Sequence, residues 1–287
     1  MNRYDFGRGT AIVTGAASGI GEQLAHALAR RGSALALVDR DAERLDQVAR
    51  AVRSATGRPV ATYVVDLADD AATHALGDTL AAAHPDATLL VNNAGVALGG
   101  SFEQVSEEEF DWLLAINFRA VVTLTRALLP VLRGNPGSHL VNLSSLFGLI
   151  APAGQVAYAT SKFAVRGFTE ALRAELAGSV GVTVVHPGGI RTRIAENARA
   201  AAATSAAQQA AGRAGFARLL TYPPERAAEQ IVAAVEHRRP RLLIALSARI
   251  PDVLARVSPA RYGALLALVQ RLAAGRRVDR KPGDRRR

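Results

Sequence analysis

A doubly wound, three-layer α/β fold with a Rossmann-like parallel sheet is the architecture this sequence predicts, and three observations predict it. Short apolar runs alternate with helical stretches from residue 10 to residue 246. The apolar runs lack polar alternation, as strands of a sheet covered on both faces must. The first of them runs directly into a glycine cluster that opens a helix.

The elements follow in order. Thr10–Thr14 reads as the first strand, and Leu24, Ala25, Leu28 and Ala29 share one face of the helix after it, which Gly32 stops. A second buried strand, Ala34–Val38, ends at Asp39, and a polar helix covers 41–54 before Gly57-Arg58-Pro59 turns the chain. The third strand, Val60–Val65, ends at Asp66, and helix 69–83 leads to strand Thr88–Val91 and to Asn92-Asn93-Ala94-Gly95. One long helix is expected over 107–133, with Phe110, Leu113, Leu114, Val121, Leu124, Leu128 and Leu132 as its apolar positions. Strand His139–Leu143 runs into Ser144-Ser145, helix 155–177 follows, and strand Val182–Val185 ends at His186-Pro187-Gly188-Gly189. Residues 191–222, rich in Ala and dotted with Arg, read as helical and mobile; helix 225–237 and strand 241–246 complete the pattern. With no internal repeat or linker, the body is expected to be one domain over 8–246, followed by a basic amphipathic extension over 247–287 with a disordered end.

Charge divides the same way. The net +10 is concentrated in residues 238–287, which hold 14 basic and 3 acidic residues; the rest balances at −1. A basic tail favours acidic surfaces such as anionic lipid, so peripheral membrane contact is an expectation for the tail. From Ser258-Pro259, a capping start, the residues Tyr262, Leu265, Leu266, Val269 and Leu272 fall at helical spacing up to Gly275. That length is too short to span a bilayer; packing against protein ranks ahead of lying on lipid. Nucleic-acid binding is not expected, because no aromatic interleaving or base-reading motif accompanies the arginines.

There is no Cys, which removes disulfides, thiolate metal sites and thiol nucleophiles. The six His show no metal-ligand spacing, so no metal is expected. The opening Met1-Asn-Arg-Tyr-Asp-Phe has no apolar signal core and no run of about 20 apolar residues occurs, so a cytoplasmic, non-spanning protein is the expectation.

The chemistry centres on Tyr158-Ala-Thr-Ser-Lys162. A phenol and an ammonium four residues apart lie on one face of a helix. Of 35 basic residues only Lys162 and Lys281 are lysines, and Lys is a compact point charge where Arg is a planar fork. A phenol titrates near 10; bringing it to neutrality takes roughly 4 kcal/mol, which a nearby ammonium can supply. The glycines Gly15, Gly19 and Gly21 let the backbone turn sharply and a phosphate approach the helix N-terminus. Asp39, at the end of the second strand, suits the two ribose hydroxyls of an adenosine and repels a 2′-phosphate, which favours NAD(H). Arg40 beside it could hold that phosphate, so NADP(H) stays open; Ser18 is not basic.

Taken in order, Thr14-Gly15-x-x-x-Gly19-Ile20-Gly21, Asn92-Asn93-Ala94-Gly95, Asn117, Ser145, Tyr158-x-x-x-Lys162 and Pro187-Gly188 resemble the motifs of short-chain dehydrogenases/reductases, over about residues 8–246. The resemblance implies an oxidoreductase that moves a hydride between a nicotinamide cofactor and an alcohol or ketone, with Asn117, Ser145, Tyr158 and Lys162 as the catalytic group. Tyr158 would be the acid/base. Ser145, thirteen residues before it, would polarise the substrate oxygen, leaving Ser144 as a turn residue. Lys162 would also hold the nicotinamide ribose, and Asn117 a water. The cofactor would be bound by Gly15, Ser18, Gly19, Ile20, Gly21, Asp39, Arg40, Asp66, Leu67, Asn93, Ala94, Gly95, Tyr158, Lys162, Pro187, Gly188, Ile190 and Thr192, with Asn92 on the adenosine side and buttressing the sheet. Leu98, Leu146, Phe147, Leu149 and the 191–222 segment would make an apolar substrate pocket. A homodimer or homotetramer through the long helices is implied, with Trp112 and helix 155–177 near the contacts. The alternative is a catalytically silent nicotinamide sensor or scaffold tethered by its basic tail; four intact catalytic residues argue against it.

Overall fold

The computed structural model describes residues 3–194 and 196–264. Seven parallel strands form the main sheet: β1 (Thr10–Thr14), β2 (Ala34–Asp39), β3 (Val60–Val64), β4 (Ala87–Asn92), β6 (His139–Leu143), β7 (Gly181–Pro187) and β9 (Arg241–Ile244). Their spatial order is β3-β2-β1-β4-β6-β7-β9, so the chain reverses direction across the sheet between β1 and β4. The crevice beyond the strand ends at such a reversal is where ligands bind in open α/β sheets.

Two layers of helices cover the sheet. On one face α1 (Gly19–Arg30), α2 (Ala42–Thr56) and α8 (Pro224–Glu236) bury Leu24, Leu28, Leu45, Val52 and Ile231 against Val13, Leu37 and Val185. On the other, α3 (Asp70–Ala83), α5 (Ala120–Gly134) and α6 (Val156–Glu175) bury Leu80, Leu124, Leu128 and Leu172 against Ile12, Leu90 and Leu140. The doubly wound fold is therefore as the strand pattern predicted. A chain of buried polar groups crosses the second face: Asn92 Nδ2 donates to Thr125 Oγ1 at 3.1 Å and to Asn142 Oδ1 at 2.8 Å, and Asn142 Nδ2 donates to Thr169 Oγ1 at 3.0 Å.

Four features depart from the sequence reading. The helix expected over 107–133 is α4 (Glu107–Leu114), a π-turn at Ala115–Arg119 and then α5. The three pieces together are long and apolar enough to cross a membrane, yet Leu113, Leu124, Leu128 and Leu132 lie in the core of this fold. Among the described residues of 191–222 only α7 (Ala206–Leu219) is a helix; Arg199–Ala200 forms β8, which pairs with β5 (Leu98–Gly99) in a separate two-stranded sheet. Arg199 stacks its guanidinium 3.8 Å above the Trp112 ring, which fixes this segment to α4.

After β9 the chain forms α9 (Leu246–Val257), where the sequence suggested only an extension. The helix expected from Ser258 lies mostly outside the described residues; Ser258 closes α9, and 262–264 are helical. Asp252, 6% exposed, locks α9 to the body through a two-pronged bond to Arg241 of β9, at 3.1 and 2.5 Å, and pairs within α9 with Arg256 at 3.2 Å. The Tyr262 hydroxyl accepts from Ala151 N at 3.1 Å, so the C-terminal stretch also grips the loop after Ser145.

Candidate active site

The cleft opens along the strand ends and has a volume of about 330 Å³. One end is built by the turn after β1. Gly15 and Gly19 have φ of +66° and +59°, a left-handed backbone that favours glycine. Ser18 stands at the N-cap of α1 without a side-chain cap, so the first-turn amides face the cleft, a ready site for a phosphate. Gly21 lies behind the wall: an added Cβ would collide with the Gly15 carbonyl and stand 2.6 Å from Asn93 Nδ2. Thr14 ties this turn to the next one, which sequence reasoning missed. Its hydroxyl accepts from Asn93 N and Ala94 N, each at 3.0 Å, while Asn93 Nδ2 donates to the Thr14 and Gly15 carbonyls at 2.8 and 3.1 Å.

Asp39 closes β2 at the cleft edge. Its two oxygens accept from Ala17 N at 3.0 Å and Asp41 N at 3.1 Å, which fixes the carboxylate where an adenosine ribose would lie. Arg40, Asp66 and Leu67 line the wall beside it, with Asp66 Oδ1 accepting from Ala68 N at 3.0 Å. Asn92 is not on this wall; it is 2% exposed and spends its side chain beneath the sheet. Across the cleft Pro187, Gly188, Ile190 and Thr192 form the opposite lip, and Thr192 closes over the glycine turn, 2.9 Å from where a Gly19 Cβ would stand. These surfaces fit a dinucleotide: a positive-φ glycine turn at a helix N-terminus, a fixed carboxylate for the ribose, and a lip across from both.

The other end gathers the reactive side chains. Tyr158 and Lys162 are both buried on the first turns of α6 and both line the cleft. Ser145 follows β6, accepts from Phe147 N at 3.1 Å and lines the cleft beside Tyr158. Phe147 packs edge-on against the Tyr158 ring at 5.9 Å. Ser144 Oγ donates to the Lys162 carbonyl at 2.8 Å, and Gly148 permits the loop to approach α6 closely there. Ser144 thus anchors α6 rather than merely turning the chain. His186, also buried, holds the Ser145 carbonyl through Nδ1 at 3.1 Å; burial drops its pKa to about 4, so it stays neutral.

Asn117 stands in the π-turn, fully buried and behind the wall. Its Oδ1 accepts from Val96 N at 2.8 Å, and its Nδ2 donates to Val96 O at 3.0 Å and Ser161 Oγ at 3.1 Å. The side chain therefore clamps the 93–97 turn to α6. The Gly95 backbone passes between: a Cβ there would lie 3.1 Å from Lys162 Nζ and 3.3 Å from Asn117 Oδ1.

One electrostatic expectation is corrected. The phenol was expected below its ordinary pKa; burial instead raises it, with the nearby Ser145 hydroxyl only partly opposing. The reason is geometric. Lys162 Nζ donates to the Leu143 carbonyl at 3.2 Å and sits 5.8 Å from the Tyr158 ring centre, over the ring. Burial also lowers the ammonium pKa to about 8. Tyr158 is therefore a protonated phenol at neutral pH, suited to giving a proton, beside a cation that is easily titrated.

Beyond Tyr158 the walls are mostly apolar, made by Val96, Ala97, Leu146, Phe147, Ile194, Leu219 and Leu220, with Arg193 and Asn197 as polar members. Leu98 and Leu149, expected here, are buried instead, Leu98 packed with Leu113. Leu219 and Leu220 belong to the 191–222 segment expected here; Ser247 comes from α9, and no local pattern announces it.

Comparison with known proteins places this geometry. A family model described as short chain dehydrogenase matches residues 9–203. SadH of Mycobacterium tuberculosis, a provisionally named oxidoreductase, is 40% identical over 260 residues, covering 90% of this chain and 93% of SadH. The oxidoreductase UcpA of Escherichia coli is 35% identical over 190 residues, 66% of this chain and 72% of UcpA. Among solved structures, a short chain dehydrogenase/reductase from Burkholderia phymatum in complex with NAD superposes with a TM-score of 0.76, at 28% identity over 99% of both chains. A short-chain dehydrogenase from Sphingobium yanoikuyae in complex with NADPH gives a TM-score of 0.72 at 28% identity, covering 97% of this chain and 98% of that one. With Tyr158, Lys162 and Ser145 meeting at the strand ends of a doubly wound sheet and a family match over most of its length, this chain belongs to the short-chain dehydrogenase/reductase family and is an NAD(P)-dependent oxidoreductase.

Proposed function

We propose that the protein interconverts an apolar ketone and its alcohol, with NAD(H) as the preferred cofactor and Tyr158 as the proton donor and acceptor. The single observation that carries this reading is the meeting of Tyr158, Ser145 and Lys162 at the floor of a cleft whose outer wall is mostly apolar. A bound reduced nicotinamide supplies the hydride to the carbonyl carbon. The chain supplies the rest. Ser145 and Tyr158 hydroxyls converge on the position of the carbonyl oxygen, and Tyr158 gives that oxygen its proton as the carbon accepts the electron pair. The phenolate left behind is the charge that Lys162, on the same helix face, is placed to stabilise. In the reverse direction the phenolate takes the alcohol proton.

Asp39 supports the cofactor preference. Two backbone amides hold its carboxylate at the ribose end, where a 2′-phosphate would meet a fixed negative charge. Arg40, also on the wall, works against complete exclusion of NADPH. The Val96, Ala97, Phe147, Ile194, Leu219 and Leu220 wall supports an apolar substrate without hydroxyl groups of its own.

The test is steady-state reduction of a ketone panel graded from small polar to bulky apolar, with NADH and with NADPH. The reading expects kcat/KM to rise with apolar bulk and to favour NADH. It expects Tyr158→Phe to lower kcat by about 10²–10⁴-fold. Equal rates with Phe at 158 would remove the acid–base role; a preference for NADPH would remove the role given to Asp39.

A further inference from the structure

The rim of the cleft mouth carries two features that hydride transfer does not use. The first is an apolar stripe. Leu246, Ile250, Val253 and Val257 recur at helical spacing along α9, each 57–79% exposed, while Ala248, Pro251 and Asp252 face inward. Leu219, at the end of α7, is also exposed and lines the mouth itself. Gly189 brings the two helices together: its N–H donates to Ser247 Oγ at 3.2 Å, and an added Cβ would collide with the Leu219 carbonyl.

The second feature is charge. Residues 238–264 hold six arginines and one acid, Asp252, which is buried and paired with Arg241 and Arg256. Arg249 and Arg256 flank the stripe on α9, and α7 carries Arg213 and Arg218 with no acid. All four are exposed. An apolar stripe flanked by guanidinium groups fits the boundary between acyl chains and phosphate headgroups, where arginines reach the phosphates and aliphatic side chains enter the hydrocarbon.

We propose that the α7–α9 rim docks on an anionic lipid surface and turns the cleft mouth towards it, so that the apolar substrate is drawn from the lipid phase. A water-facing mouth would force such a substrate to cross water; a docked mouth does not. Docking is independent of the hydride-transfer reading, and only the delivery of a lipid-dissolved substrate rests on it. The Asp252 ion pairs matter because they hold α9 in place before contact, so docking needs no ordering of the helix.

The test is co-sedimentation of the full chain with vesicles of phosphatidylcholine alone and with vesicles containing phosphatidylglycerol, at low and high salt. The expected result is binding to the anionic vesicles only, weakened by salt. The paired substitution Ile250→Asp and Val253→Asp should reduce that binding at least tenfold, and Arg249→Glu should reduce it less. None of these residues lines the cleft, so the thermal midpoint and the reduction of a water-soluble ketone should stay as in the wild type. An unchanged thermal midpoint with no activity in either protein would count against the hydride-transfer reading and leave the vesicle result to decide docking. Three results would overturn the proposal: no wild-type binding, equal binding to neutral vesicles, or equal binding by the Asp pair. If the Asp pair instead halves the mass measured by light scattering, a second copy of this chain covers the stripe, and the lipid proposal is also overturned.

Discussion

Burial brings the Lys162 ammonium down to about 8, and that value makes a prediction for a single side chain. As pH rises past about 8 the positive point beside Tyr158 is lost, and kcat/KM for ketone reduction should fall with it. In Lys162→Met the fall should vanish while activity at neutral pH drops by about 10²-fold or more. The sign for stability is opposite. The unfolded chain holds the Lys162 proton up to 10.5 and the native one only to about 8, so this group makes the fold more stable as pH climbs through that window. Activity loss and rising stability over one pH range can be measured on one sample series by initial rates and denaturant unfolding. Tyr158 and Lys162 were legible in the sequence because lysine is scarce and the spacing is helical. The direction of the phenol shift was not legible, because it depends on how deeply α6 is buried and on Leu143 capturing the ammonium proton. The hydrogen-bond partners of Thr14, Ser161 and His186 were not legible either: they lie 41 to 80 positions away, where only the fold brings them. For His186 the signal was its place beside Pro187-Gly188; for Ser161 it was its position inside the Tyr–Lys motif.

At the scale of elements, the glycine turn and α9 are where the fold sets the site. Gly21 packs α1 against the β1 turn with no space for a methyl group. Gly21→Ala should cost about 1–3 kcal/mol of stability through overpacking and should weaken dinucleotide binding, read by calorimetric titration beside a thermal melt. At the junction into α9, Ala245 has φ +70° and ψ 158°, a conformation that glycine adopts freely and alanine does not. Ala245→Gly should therefore stabilise the protein by about 1 kcal/mol, a rise in thermal midpoint that would be absent if the junction were relaxed. The main-sheet strands were readable because each is a short, largely apolar run, with β1, β2 and β3 leading straight to a glycine or a carboxylate. The π-turn at Ala115–Arg119 was not, since its apolar period differs from an α-helix by a single residue; Asn117, disfavoured inside a helix, was its only trace. α9 was passed over because its stripe is exposed and its anchor, Asp252, pairs with Arg241 on another element.

For the whole molecule, the layered sheet buries two histidines in neutral form. His139 is brought down to about 3 and His186 to about 4, both chiefly by burial, and both start from 6.5 when unfolded. Below pH 6.5 the unfolded chain takes up protons that the native chain refuses, so stability should fall on acidification, by up to about 1.4 kcal/mol per pH unit for each histidine. Denaturant midpoints between pH 7 and pH 4.5 would show it, and His139→Gln should flatten the dependence. The doubly wound topology follows from the alternation of apolar and amphipathic segments, and the place of the cleft follows from the topology. The 191–222 segment was legible as pocket wall, and Leu219 and Leu220 supply it; Ser247 reaches the cleft from α9, which does not follow locally.

The central claim is that the Tyr158 proton and a hydride from the nicotinamide reach the two ends of one carbonyl. Its most direct measurement is a single turnover with deuterium at C4 of the reduced nicotinamide and an apolar ketone, followed by mass spectrometry of the alcohol. The account predicts deuterium on the carbinol carbon from the wild type and, on the same timescale, essentially none from Tyr158→Phe. Deuterium-labelled alcohol formed equally fast by both proteins, or alcohol formed without the label, would contradict it.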